Sequence, residues 1–414
     1  MYLSDKKDII MKIVHINVTC GKGSTGVIVE EISDLLRKQG HEVYIAYGQG
    51  HSDYPNSYRI GSDLENKLHS LINTRILGEE GTGSICATKR LVKWLDNINP
   101  DIVHLHTFHS NYVNYEILFN YLIKKQIKVC WSFFDCWPFT GICTHFTENK
   151  CWKWRIECDK CPHINGNGCP TWFFDRSKKM FNLKKRLFTQ LKDLNIIVCS
   201  EWLKSEVKKS FFRNKTIHMV YNWIDSTKFS EFHDDSIYDK YGLDRKKKYL
   251  VSVSAFWNET TTRFIDAYRL AEILPSGYQL VLIGSKTTKR ELHPNMIHIN
   301  YVEGTDELSK LYSKALAFVG FSVEDTFGKV FAESMLCGTP AVVFDSTACP
   351  EVVGDTGYAV PPHDVEAMFE KVKEIELNGR DYYNQRCKEK VLSSYGYEQN
   401  VNKYISIYET MLLK

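Results

Sequence analysis

No run in this chain approaches the ~20 consecutive apolar residues that a membrane-spanning helix needs. The first ten residues, MYLSDKKDII, lack the apolar core of a signal peptide. A strong charge of either sign is also missing. The formal net charge is +3, too close to neutral to imply nucleic acid as a partner. There is no internal repeat and no low-complexity tract. These absences leave the expectation of a cytoplasmic protein whose membrane contact is peripheral, at the inner face of the cell membrane. In a reducing compartment the 13 cysteines do not form a disulfide framework.

What is present is ordinary globular composition, 43% hydrophobic and 25% charged residues, which excludes a mainly disordered chain. A length of 414 residues implies about two domains. Lys12 to Val18 reads as a buried strand, followed by the loop TCGKGSTG, an amphipathic helix ended by Gly40, and a strand from Glu42 to Tyr47. That is the opening of a doubly wound α/β domain. Gly21, Gly23 and Ser24 stand in the loop, which either lets a ligand approach the backbone or is a tight turn. His106 and His109 flank the end of a strand from Ile102 to His106, where open α/β sheets bind ligands; buried, hydrogen-bonded histidines are the alternative.

After a strand ending at Phe134, about 40 residues rich in cysteine, tryptophan and glycine leave the α/β pattern. Cys158-x-x-Cys161 is a metal-type knuckle, and Cys143 and Cys151 complete a tetrahedral thiolate set for structural zinc. Buried thiols are the alternative. The segment Arg176–Phe188 alternates basic and apolar residues at helical spacing, compatible with anionic lipid or with an ordinary amphipathic surface helix. Strands at Tyr249–Ser254, Gln279–Ile283, Met296–Tyr301, Leu316–Phe321 and Pro340–Phe344 alternate with helices and predict a second parallel sheet. The expected division is residues 11–225 (with an insertion at 136–170), a linker at 226–247, a second domain at 248–392, and a terminal helix at 393–414 packing back on the first domain.

The stretch Ser322–Pro340, SVEDTFGKVFAESMLCGTP, joins a strand to a helix through a glycine. A helix start offers backbone N–H groups and a positive dipole end to an anion. Carboxylates at both ends of that loop suit a ligand that also carries sugar or ribose hydroxyls; an ordinary strand–helix crossover with solvated acids is the alternative. With Asp135-Cys136-Trp137-Pro138-Phe139-Thr140-Gly141, the segment Asn222-Trp223-Ile224-Asp225 and Pro350-Glu351-Val352-Val353, it resembles GT-B glycosyltransferases. More narrowly, the chain resembles the family 4 retaining enzymes of bacterial surface-polysaccharide and capsule synthesis, from Met11 nearly to its end. The family's E-x7-E signature is matched by Asp325-x7-Glu333.

The resemblance implies two Rossmann-like domains facing each other across a cleft. It implies retaining transfer of a sugar from a nucleotide-diphosphate donor to a glycan or lipid-linked glycan acceptor, with no cofactor or divalent metal required. Asp325 would hold the sugar and Glu333 the ribose. The diphosphate would meet Phe327, Gly328, Lys329 and Val330, with Ser254, Arg263 and Ser285 also on the donor side, and Gly21, Gly23 and Ser24 opposite. His106, His109 and Asp135 would lie on the acceptor side. Three positions depart from the family pattern: Phe134 replaces a histidine, Thr260 and Thr261 replace an arginine–lysine pair, and Asp325 replaces a glutamate. These departures keep open the alternative of a catalytically impaired homologue that binds a glycan or a partner.

Overall fold

The computed structural model describes residues 10–162, 164, 171–287 and 289–413. Cys169 and His163 of the insertion, and most of the N-terminal extension, lie outside the described residues. The chain divides into two compact units, residues 1–220 with 401–414, and residues 221–400.

The first unit is built on seven parallel strands: β1 (Lys12–Asn17), β2 (Glu42–Tyr47), β3 (Ser57–Arg59), β4 (Ile102–Leu105), β5 (Lys128–Phe133), β6 (Asn195–Val198) and β7 (Thr216–Met219). Their order is β3-β2-β1-β4-β5-β6-β7. The central strands are buried on both faces, as a parallel sheet covered by helices must be. Strand order reverses between β1 and β4, whose registers align Ile13 with Ile102 and Ile16 with Leu105. Trp131, Phe108, Phe119, Phe188 and Phe212 form an aromatic core beside β5.

The helix Ser177–Thr189 buries Met180, Phe181, Leu187 and Phe188. The apolar face that a lipid contact would need is therefore already packed. The terminal helix Tyr397–Leu413 enters the first unit at Val401. There the Tyr408 hydroxyl meets His104 Nδ1 at 2.5 Å, and Ser132 Oγ donates to Tyr404 at 3.5 Å. No helix among the described residues is long and apolar enough to cross a membrane.

The second unit carries six parallel strands: β8 (Lys248–Trp257), β9 (Tyr278–Lys286), β10 (Met296–Ile299), β11 (Ala317–Gly320), β12 (Ala341–Phe344) and β13 (Tyr358–Val360). Their order is β10-β9-β8-β11-β12-β13, again reversing direction of travel, here between β8 and β11.

Two expectations of the sequence are corrected here. Residues 226–247, expected as a linker, belong to the second unit. They contain a helix, Ser236–Tyr241, and their charges find partners: Asp234 with Lys310 at 2.7 Å and Lys240 with Glu307 at 2.8 Å. The strand expected at Tyr249–Ser254 runs on to Trp257, through a register shift between Val253 and Phe256. Gly284 permits this, because a Cβ there would lie 1.7 Å from the Ser254 carbonyl oxygen. Trp257, fully buried, locks the extension by donating from Nε1 to the Ile283 carbonyl at 3.0 Å.

Candidate active site

In the second unit, the helix Lys329–Leu336 follows Gly328, which sits at φ +82° as its N-cap. A side chain at Gly328 would be strained there and would lie 2.3 Å from the Phe331 ring, so the loop needs glycine. No side chain caps this helix. Its first-turn N–H groups and positive dipole end are thus available to an anionic ligand. Phe327 is buried against Tyr395 at 5.2 Å and offers its backbone only. Asp325 and Glu324 are half-buried at the loop's start, and the Asp325 carbonyl accepts from the Ala348 N–H at 3.2 Å. Burial pushes the pKa of Glu333 up, opposed by the Lys329 charge and by the Tyr312 hydroxyl 3.5 Å away.

Arg263 was expected on the donor side. It lies in the first turn of the helix Thr262–Ile273, yet its guanidinium reaches back to the sheet. Nη1 donates to Ser254 Oγ at 2.7 Å and Nη2 to Ser322 Oγ at 3.0 Å. Ser254 lies on the extended end of β8 and Ser322 just after β11, so the cation spans the point where strand order reverses. Both named partners are hydroxyls, and among the described residues no ion pair neutralises Arg263. Ser285 is exposed at the end of β9, opposite Phe256. Thr260 and Thr261 have local work. Thr261 caps the helix, accepting from the Phe264 N–H, and Thr260 bonds Asn258 Oδ1 through its N–H and its hydroxyl at 2.9 and 2.8 Å.

In the first unit Gly21–Gly26, which from Gly23 on belongs to the helix Gly23–Lys38, has the G-x-G-x-x-G spacing, which alone is a weak signal. Gly21 and Gly23 adopt φ +66° and +67°. The Gly21 N–H is already bonded to the Gly26 carbonyl at 3.3 Å. The Glu30 carboxylate fills the space beside Gly21, which does not favour a phosphate. Ser24 is exposed.

The histidines separate into two groups. His106 is turned inward and buried, with its Nε2 2.9 Å from His15 Nδ1. His104 lies alongside, its Nε2 bonded to Ser132 at 2.9 Å. These three hold their ligand atoms within 4.8 Å of one another. Both His104 nitrogens have hydroxyl partners, however, and burial pushes the pKa of all three well down. They form a neutral core cluster, stacked on Phe134 through His106. His106 thus does not face an acceptor; the alternation His104-Leu105-His106 puts both rings on one face of β4.

His109 is half-buried and pairs with Asp135, Nε2 to Oδ2 at 2.9 Å. Asp135 Oδ1 accepts from the Trp137 N–H at 2.8 Å. Burial opposes charge on both groups, but their mutual attraction and hydrogen bond outweigh it, raising the His109 pKa and lowering that of Asp135. Two neighbours were missed in the sequence. Glu80 accepts from Trp137 Nε1 at 2.9 Å and from the Ser110 N–H at 2.8 Å. Lys184 is buried with Nζ 3.3 Å above the Trp137 ring, and burial lowers its pKa to about 7. A lysine on the inner face of an amphipathic helix was the available signal for Lys184; nothing local marks Glu80.

Comparison with known proteins bears on what these sites belong to. Residues 25–228 match the family model described as Glycosyltransferase Family 4, and residues 247–378 match Glycosyl transferases group 1. This chain belongs to the GT-B glycosyltransferases. Among curated relatives, the N-acetyl-alpha-D-glucosaminyl L-malate synthase of Bacillus anthracis is 22% identical, over 96% of this chain and 97% of that protein. The O-antigen chain mannosyltransferase B of Escherichia coli is 42% identical over 71 residues, 17% of this chain and 18% of that one. Among solved structures, Anabaena Alr3699/HepE in complex with UDP superposes with a TM-score of 0.66 at 13% identity, covering 97% of this chain and all of that one. The two parallel-sheet units of this GT-B glycosyltransferase agree with that fold.

Proposed function

We propose that this glycosyltransferase moves a sugar, with retention of anomeric configuration, from a nucleoside-diphosphate donor to a glycan or lipid-linked glycan of a bacterial surface polysaccharide. The observation that carries this reading is Arg263. Its guanidinium stands at the reversal point of the second sheet with no carboxylate among the described residues to neutralise it, in the unit that also presents the uncapped helix at Gly328. It takes over the charge of the arginine–lysine pair that Thr260 and Thr261 displace. The leaving diphosphate is held by Arg263 and by the N–H groups of Lys329 and Val330, with Ser254 and Ser285 beside it. Asp325 orients the transferring sugar, and Glu333 binds the ribose hydroxyls. The acceptor hydroxyl attacks the same face that the diphosphate leaves, and the diphosphate takes its proton. Catalysis is then charge stabilisation and alignment.

The O-antigen mannosyltransferase supports a polysaccharide acceptor. A lipid-linked form is supported by an exposed apolar patch on the first unit. Leu64, Leu68, Leu71 and Ile72 are exposed on the helical run Asp63–Ile76, and Trp172, Phe173 and Phe174 are exposed too. The Trp172 N–H donates to the Arg75 carbonyl at 2.7 Å and the Arg75 guanidinium lies 5.4 Å from its ring, which joins the two segments and adds a cation. Such a patch suits peripheral contact with an anionic bilayer.

The test is incubation of the full chain with a panel of nucleotide sugars, reading melting temperature, hydrolysis and the anomeric configuration of any product. The reading fails if no nucleotide sugar raises the melting temperature or is hydrolysed. An inverted product would overturn retention. Binding without turnover would favour the impaired homologue, a reading that Phe134 motivates, since its ring offers no hydrogen bond to a donor sugar.

A further inference from the structure

The insertion after β5 has a small core of its own. Trp154 lies 4.9 Å from both Phe139 and Phe146, and all three are buried. Beside that core is a cavity of about 10 Å³ whose lining includes Cys143, Cys151, Cys158 and Cys161, with Lys153 and Trp154 among the other residues of its wall. This is room for one water-sized particle and no more. Four thiols that lie up to 18 residues apart in sequence thus line one small space, although no three of their sulfurs lie within 4.8 Å of one another.

The backbone around them is shaped for thiolates. The Gly141 N–H donates to Cys158 Sγ at 3.2 Å. Between the two cysteines of the knuckle, Lys160 takes a positive φ of 40°. That turn is held by Lys153 Nζ donating to the Asp159 and Lys160 carbonyls at 2.9 and 3.1 Å. The Cys161 N–H is fixed by Asp175 at 2.7 Å. At the root of the insertion the buried Lys184 Nζ donates to the Trp137 and Thr140 carbonyls at 2.9 and 3.3 Å. Among the described residues no disulfide competes for these sulfurs.

We propose that Cys143, Cys151, Cys158 and Cys161 bind one structural zinc ion, which closes the insertion and holds Asp135 and Trp137 at its root. Each thiol gives up its proton on binding, and four sulfurs complete a tetrahedral shell, so the ion has no open position for catalysis. Among the described residues the His15–His104–His106 cluster is the one group of three or more such side chains whose ligand atoms all lie within 4.8 Å of one another. The four thiols are spread more widely, so loading draws them inward and tightens the insertion. This inference rests on no part of the donor-site reading.

The full chain, purified without added zinc, is expected to carry about one equivalent of zinc by elemental analysis. Cobalt substitution is expected to give intense thiolate-to-cobalt charge-transfer absorption with the d–d bands of a tetrahedral site. The double variant Cys158→Ser/Cys161→Ser is expected to lose the metal, whereas Cys86→Ser, at an exposed position, keeps it. Should the double variant fail to fold, a chelator added to the native chain decides: a melting temperature that falls and recovers when zinc is returned supports the site. Less than about half an equivalent of zinc, with every native thiol titratable, overturns it. Metal that survives Cys158→Ser/Cys161→Ser and disappears with His106→Gln overturns it as well.

Discussion

The two sheets of this protein reverse strand order in the same way, between β1 and β4 in one unit and between β8 and β11 in the other, but they fill the reversal point with different chemistry. In the first unit it holds three buried imidazoles kept neutral by burial, next to a glycine loop whose leading N–H is spent and whose flank is a carboxylate. In the second it holds an arginine bonded to two hydroxyls and a helix start with no cap. Topology alone supplies a crevice at either place. Among the described residues only the second unit offers a cation without an ion-pair partner there, and that difference in charge is why the proposal seats the diphosphate in it.

The largest test of that contrast is Arg263→Ala. Loss of a preorganised charged donor to the leaving diphosphate is expected to lower kcat/KM for the nucleotide sugar about 100-fold. Arg263→Lys should recover part of it. Steady-state kinetics decide, and an unchanged value would remove the second unit's claim. Gly328→Ala comes next. A left-handed backbone and a clash with Phe331 together predict a loss of about 2 kcal/mol, seen as a lower melting temperature, with weakened nucleotide binding by calorimetry.

Asp135→Asn probes the first unit through the His109–Asp135 ion pair. His109 has a raised pKa, so its contribution is full below the ordinary histidine value and fades as pH rises through the raised one. Asp135 has a lowered pKa, so its contribution is full above the ordinary carboxylate value and fades as pH falls through the lowered one. The variant should therefore cost most, on the order of 2 kcal/mol, between those two ordinary values near pH 5–6. The cost should shrink at alkaline pH. Denaturant melts at several pH values would show a flat difference if the pair is uncharged. The smallest effect is expected for Thr261→Ala, about 1 kcal/mol from a lost helix cap. Nucleotide affinity should not change beyond that; a selective loss of affinity would make Thr261 a donor ligand rather than a cap.

Much of the scaffold was legible from pattern. Continuous apolar runs bounded by turn residues marked most of the strands, because strands buried on both faces have no polar side to alternate with. The helix Tyr115–Lys125 and strand β13 were not read, the first because its apolar residues are not confined to one stripe and the second because it is three residues long. Among site residues, Asp325, Gly328 and Glu333 follow from spacing along one strand–loop–helix unit. His106 was misread because a position at a strand's end does not say which face of the sheet a side chain enters. Arg263 was expected on the donor side, but its bonds to Ser254 and Ser322 come from a long side chain that folds back to the sheet.

By itself, then, the sequence determined two parallel α/β units, a helix start built around Gly328, and a cysteine-rich insertion after β5. Those follow from local periodicity, backbone permission and residue type. Tertiary structure alone decided that Arg263 bridges Ser254 and Ser322, that His109 rather than His106 pairs with Asp135, and that four distant thiols share one cavity. Each of these depends on groups brought together from separate strands and loops, and on the burial that sets their charge, neither of which any stretch of chain encodes locally.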